Sequence, residues 1–203
     1  MFEYVENFLS PHVIAQFDKY CGLNEADESS DDVWNPAFTK YNDNETCFTQ
    51  KCTDNELWLL RDDIFNNKDN PLYKNRVVRN MSCAIQKYPK GAVLQAHKDR
   101  CIGSVTIFLN KNWDINSGGM FHWIDDDAKG NGYCVLPKYN CAILKMPPKG
   151  HNNKNSLGQT HWVTEVLGND TRSCIQIFIW GQGDANNTLN EWSSPDDVEG
   201  VIL

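Results

Sequence analysis

The sequence predicts a mainly β protein, an antiparallel sandwich or barrel with α-helices flanking it near the N-terminus. Three observations carry this. From about residue 76 onward short β-like runs follow one another: VVRNMSCAIQKY, GSVTIFLN, GMFHWI, YCVL, CAILKM, HWVTEVL and SCIQIFIW. Gly, Pro, Asn and Asp separate them, with only loops between, which argues against a βαβ fold. Helical spacing of apolar residues is confined to the part before them.

The first helix is predicted after Ser10-Pro11, a hydroxyl at the N-cap followed by proline at the first helical position. Val13, Ile14, Phe17, Tyr20 and Cys21 recur at helical spacing, and Gly22 is the expected stop. Residues 24–32, NEADESSDD, read as a solvated acidic loop. Thr53 with Glu56 forms a capping-box pattern, and Leu57, Leu60 and Ile64 fall on one stripe of a second helix. That helix is expected to end before Asn70-Pro71, because the residue preceding a proline leaves the α region. The chain of 203 residues is long enough for one well-filled core. The expected organisation is one domain over 1–203: helical support over about 1–75, a β core over about 76–181, and a polar tail over 182–203.

Composition narrows the function. Nineteen Lys+Arg against 27 Asp+Glu leave a formal charge of −8. That balance argues against a protein that tracks phosphates, so no nucleic-acid partner is expected. No apolar run approaches the roughly 20 residues of a membrane helix. The opening MFEYVENFLSPH lacks the basic and apolar regions of a secretion signal, so a cytoplasmic location is expected. Eight cysteines, at 21, 47, 52, 83, 101, 134, 141 and 174, include no CxxC pair, and reduced thiols are the expected state.

The chain has five histidines, at 12, 97, 122, 151 and 161. His97 and Asp99 are two residues apart, and in an extended segment such residues share a face, with Cα atoms about 6–7 Å apart. An imidazole and a carboxylate there can converge on one cation. His161, in the β-branched run HWVTEV, is the candidate third ligand, ahead of His122 and His151. Two His and one carboxylate form a facial triad that leaves positions open on Fe(II), whereas structural zinc sites close their shell, usually with thiolates. Arg172 starts the last strand. By alternation Arg172, Cys174, Gln176, Phe178 and Trp180 share one face, and Ser173, Ile175, Ile177 and Ile179 share the other. The aliphatic row suits packing. The row with Arg suits a lined pocket, where a guanidinium takes a carboxylate through two parallel hydrogen bonds. Lys145 is the next cation in line for that role. Gly118-Gly119 reads as a tight turn or a close approach of backbone to substrate.

The segments YPKGAVLQAHKD, TIFLNKNWDINSGGMFHW, HWVTEVLGNDTR and IQIFIW, in this order and spacing, resemble the Fe(II)/2-oxoglutarate-dependent oxygenases, in their prolyl 4-hydroxylase-like branch. The opening YVENFLSP is also typical of that branch. The resemblance implies a double-stranded β-helix, or jelly-roll, core. It maps the metal ligands onto His97, Asp99 and His161, and the cation for the far carboxylate of 2-oxoglutarate onto Arg172. Tyr88 matches a tyrosine of the co-substrate pocket. Several relatives carry a further tyrosine where this chain has Phe108. Ser104 and Thr106, on the same strand, are the candidates to supply the missing hydroxyl.

The activity the resemblance implies is hydroxylation of an unactivated C–H. Fe(II), 2-oxoglutarate and O2 are the cofactor and co-substrates, succinate and CO2 the co-products, and ascorbate a possible support. The implied substrate is a prolyl residue in a peptide or protein, covered by the segment before the barrel, about residues 34–53. A small-molecule hydroxylase acting on a free amino acid is the alternative on the same core. A nucleic-acid demethylase would carry a second arginine in the last strand region, and no Arg follows Arg172. A non-catalytic binding module would be expected to have lost part of the triad or its anchor.

Overall fold

The structure, a computed structural model, describes residues 2–21, 35–37, 47–72, 80–99, 101, 103–124, 130–145 and 160–180. The acidic loop 24–32, His151 and the tail 182–203 lie outside the described residues.

Among the described residues eleven strands run in chain order: β1 Phe2–Val5, β2 Asn35–Ala37, β3 Cys47–Lys51, β4 Asn80–Tyr88, β5 Leu94–His97, β6 Gly103–Phe108, β7 Phe121–Ile124, β8 Gly132–Val135, β9 Ala142–Lys145, β10 His161–Val163 and β11 Arg172–Trp180. They form two antiparallel sheets. The larger has the order β1-β9-β6-β11-β4-β3-β2, the smaller β5-β10-β7-β8. From β4 onward the chain crosses to the other sheet at every step except the hairpin β7–β8. That alternation is a double-stranded β-helix, and it refines the sandwich or barrel expected from the β-like runs.

Alternation along β11 sorts two cores. Ile175, Ile177 and Ile179, fully buried, face away from the smaller sheet and pack with Val105, Ile107, Leu144 and the helical residues Val13, Ile14, Leu60 and Ile64. Cys174 faces inward and joins Tyr88, Phe108, Ile143, Phe121, Trp123 and Val163 between the sheets. Each of Leu60 and Ile64 contributes about 2 kcal/mol by burial, so α2 is held chiefly by its buried stripe.

Helix α1 spans Pro11–Gln16 and gives way to a 3-10 turn at Asp18–Tyr20, so it is shorter than the periodic pattern through Cys21 suggested. Ser10 takes the extended N-cap conformation, but its hydroxyl does not cap the helix. It lies 3.1 Å from His12 Nδ1, while the Ser10 N–H donates to Asp63 at 2.8 Å. Helix α2 spans Asp54–Phe65 with the expected capping box. It stops ahead of Asn70-Pro71 because Asn66 caps it and the side chains of Asn67 and Asn70 bind backbone N–H groups in the turn that follows.

Four strands, β1, β2, β3 and β5, were not among the β-like runs. β1 pairs with β9 at one side of the larger sheet. β3 pairs with β4 in a continuous register from Phe48↔Lys87 to Lys51↔Ala84. The segment 34–53, expected as a substrate cover, therefore contains a strand of the sheet, with Cys47 buried against the inner core. Its cross-strand partners, invisible in a polar sequence, decide its conformation.

Glu56 ties the start of α2 to the 3-10 turn. It accepts from the Tyr20 hydroxyl at 2.8 Å and the Thr53 N–H at 2.8 Å, and pairs with Lys19 at 2.8 Å. Burial alone would raise its carboxyl, but Lys19 and the hydrogen bonds from Thr53 and Tyr20 outweigh that and hold it below its usual 4.5. Stability from this group is therefore complete above about pH 4.5 and is lost as the pH falls through the lower folded value. Glu56→Gln is expected to cost about 2 kcal/mol at pH 7 and to flatten the acid limb of a urea-stability profile. An unchanged acid limb would show that this carboxylate does not govern it.

Candidate active site

β5 ends at His97, and the register of the smaller sheet places His161 of β10 directly opposite it. Asp99 follows two residues beyond. The ligand atoms of His97, Asp99 and His161 all lie within 4.8 Å of one another. His97 Nε2 is 3.5 Å from Asp99 Oδ1, and His161 Nε2 is 3.5 Å from Asp99 Oδ2. His97 Nδ1 sits 2.8 Å from the Gln95 carbonyl, which accepts the Nδ1 proton and turns Nε2 toward the cluster. The His161 ring is wedged between Phe2 and Phe121, at 5.4 and 5.5 Å between ring centres.

Electrostatics keep the carboxylate charged. Burial would raise Asp99, yet the hydrogen bond from His97 and the charges of His161 and Lys145 lower it to about 2. For His97 burial works downward, and the Asp99 and Gln95 contacts more than offset it, so the ring is raised. Lys145, the last residue of an otherwise apolar strand, stands behind Asp99. Its Nζ is 3.7 Å from Asp99 Oδ2 and 3.4 Å from the Asp99 carbonyl. It does not line the cleft beside the triad, so Arg172 and not Lys145 is the cation there. His122 lies on the other face of the smaller sheet, stacked on Trp162 at 5.0 Å, apart from the triad.

The triad borders an open cleft lined by Gln86, Tyr88, Thr106, Arg172, Cys174 and Gln176 from the larger sheet and by Leu94, Phe121 and Val163 from the smaller. The inward row of β11 is thus the pocket row that alternation predicted. Arg172 is 1 % exposed. Its guanidinium lies over the rings of Tyr88 at 4.7 Å and Phe108 at 5.2 Å. Among the described residues its Nη1 meets only the Cys174 sulfur, at 3.8 Å, and its Nε and Nη2 have no hydrogen-bond partner. A buried cation with two unmatched donor nitrogens, facing a cleft that carries a metal-type triad, fits a carboxylate ligand.

The other pocket candidates fall into two groups. Tyr88 is buried beside Arg172 and donates to Gln86 Oε1 at 2.9 Å. Its hydroxyl is held well above the usual range, by burial first and then by neighbouring Cys47 and Cys174. Thr106 donates to Gln176 Oε1 at 2.7 Å across the β6–β11 pair and lines the cleft. Ser104 stands nearer the triad, donating to Asp99 Oδ2 at 3.4 Å. Phe108, the position without a hydroxyl, covers the guanidinium with its ring. Gln86 was not singled out in the sequence, and Gln176 was placed there only as a member of the β11 pocket row. The signal was alternation, since Gln86 precedes Tyr88 by two and Gln176 follows Arg172 by four.

Gly118 and Gly119 hold a close approach rather than a plain hairpin turn. Both have positive φ, 65° and 62°. A Cβ on Gly119 would meet Arg172 Cδ at 3.0 Å and Trp113 at 3.2 Å. Gly119→Ala is therefore expected to cost about 2 kcal/mol and to displace the Arg172 side chain. Urea unfolding and 2-oxoglutarate titration would both register it, and an unaffected titration would show that Arg172 does not depend on this glycine.

No family model and no curated protein matches the sequence. Solved structures do match the fold. A prolyl-4-hydroxylase of Pseudomonas putida is 17 % identical with a TM-score of 0.59, over 88 % of this chain and 91 % of that one. A Trichoplax adhaerens prolyl hydroxylase, solved in complex with a hypoxia inducible factor oxygen degradation domain peptide fragment, is 16 % identical with a TM-score of 0.59, over 88 % and 82 %. A 2OG-Fe(II) oxygenase family oxidoreductase of Burkholderia pseudomallei is 14 % identical with a TM-score of 0.58, over 93 % and 88 %. The fold is that of the 2OG-Fe(II) oxygenases. At these identities the likeness speaks for the jelly-roll core. Among the described residues, no helix is long and apolar enough to cross a membrane.

Proposed function

We propose that this protein is an Fe(II)- and 2-oxoglutarate-dependent dioxygenase that hydroxylates a prolyl residue in a peptide or protein. One observation carries the reading: a two-histidine, one-carboxylate triad beside a cleft that also holds a buried, under-bonded arginine. His97, Asp99 and His161 would hold Fe(II) from one side, leaving the other side to ligands. When bound, iron and 2-oxoglutarate with O2 supply the oxidising power, yielding succinate, CO2 and a hydroxylated substrate.

The chain's own residues do the rest. Arg172 takes the far carboxylate of 2-oxoglutarate, and the Tyr88 and Phe108 rings keep its guanidinium dry. Gln86, Tyr88, Thr106 and Gln176 present polar groups along the wall, while Leu94, Phe121 and Val163 keep water out. Asp99 stays ionised and so remains a ligand through the ordinary pH range. Support for a prolyl peptide comes from the structural neighbours named prolyl hydroxylases, one of them bound to a peptide fragment.

The test is turnover with Fe(II), 2-oxoglutarate and a proline-rich peptide, reading succinate together with the gain of one oxygen on the peptide. Free proline and a methylated oligonucleotide run alongside. Succinate that depends on the peptide supports the reading. Dependence on free proline or on the oligonucleotide moves the substrate class, and no succinate with any of them overturns the proposal.

A further inference from the structure

The thiols of Cys52 and Cys83 lie outside the proposed oxygenase chemistry. Cys52 follows β3 directly, and the β3–β4 register, continued one step past Lys51↔Ala84, sets it opposite Cys83. The Cys52 N–H donates to the Cys83 carbonyl at 3.2 Å, which sets the two residues opposite each other at the end of the antiparallel ladder. Cα atoms of residues so opposed stand up to about 5.5 Å apart, within the span a disulfide bridges. The two sulfurs are 2.9 Å apart, closer than unbonded sulfur atoms ordinarily approach. Cys52 is partly exposed and Cys83 is buried. Burial, then the Cys52 thiol, raise the Cys83 thiol well above its usual range, so Cys52 is the sulfur that reacts first with an external reagent.

We propose that Cys52 and Cys83 form a modification site, a dithiol that low-molecular-weight disulfides oxidise to an intrachain disulfide. The Cys52 thiolate attacks one sulfur of the reagent and expels a thiolate, forming a mixed disulfide. The Cys83 thiolate then attacks the Cys52 sulfur and expels the second thiolate. The two thiol protons end on the two released thiols; the protein dithiol loses two electrons and the reagent disulfide gains them. The new bond closes a loop that contains all of α2, whose N-cap, Thr53, adjoins Cys52. It therefore fastens the start of α2 to β4.

The inference does not rest on the oxygenase reading, and its test needs no metal. The full chain is treated with oxidised glutathione, quenched by acid and alkylation, cleaved without reduction and mapped by mass spectrometry. The expected products are a linked Cys52–Cys83 peptide pair and glutathione on Cys134, which is exposed. The melting temperature should rise by about 5–10 °C on oxidation of the wild type. In Cys83→Ser the glutathione should remain on Cys52, and the rise should vanish. Glutathione left on Cys52 of the wild type, or alkylation of both thiols there, would overturn the proposal. That mapping decides the matter even where the serine variant does not fold.

Discussion

Asp99→Ala is expected to abolish turnover, to weaken Fe(II) binding by more than about 100-fold, and to destabilise the metal-free protein as well. Among the described residues, the carboxylate is the one anion paired with His97, His161 and Lys145. Its removal would delete one of the three proposed metal ligands and leave the buried Lys145 ammonium without its counter-ion. Breaking a buried pair by taking one partner costs about 3 kcal/mol, discounted here for a contact as long as 3.7 Å. His97→Ala separates the two effects. That ring is 31 % exposed and its partners are Asp99 and a carbonyl, so it should lose metal with little loss of stability. Titration with Mn(II) or Fe(II) reads the first effect and urea unfolding the second. Full activity in either variant would mean that the metal is held elsewhere. Equal stability of Asp99→Ala and wild type would mean that Lys145 does not need this carboxylate.

The role of Lys145 marks where the sequence stops being legible. His97, Asp99 and Arg172 stood out because local spacing puts them on shared faces, and His161 because it lies in a strand-like run. Alternation along β11 told pocket from packing correctly from Arg172 to Ile179, since one shift of register would exchange the two faces. Lys145 carries no such local signal. Its position behind Asp99 follows from β9 pairing with β6, a relation between residues far apart in the chain. The strand at Cys47–Lys51 was hidden for the same reason. Its polar residues read as a surface segment, and only the ladder to β4 makes it part of the sheet. Gly119 was ambiguous in the sequence because its neighbour is the Arg172 side chain, which meets it from another strand.

Arg172 should show opposite effects on binding and on stability. A guanidinium 1 % exposed, with Nε and Nη2 unmatched, carries a desolvation cost of several kcal/mol. The rings of Tyr88 and Phe108 return about 1–2 kcal/mol each, and the Cys174 sulfur little. The charge is therefore a net liability until an anion arrives. Arg172→Met keeps most of the volume and removes the charge. It is expected to leave the melting temperature of the protein without co-substrate unchanged or higher, and to raise the dissociation constant for 2-oxoglutarate about 100-fold, the loss of a charge-assisted pair of about 3 kcal/mol. The stabilisation that 2-oxoglutarate confers on the wild type by mass action should vanish in the variant at the same concentration. Thermal unfolding with and without 2-oxoglutarate gives both readings in one experiment. A variant that melts several degrees lower yet still responds to 2-oxoglutarate would make Arg172 a packing residue and place the anchor for that carboxylate elsewhere in the cleft.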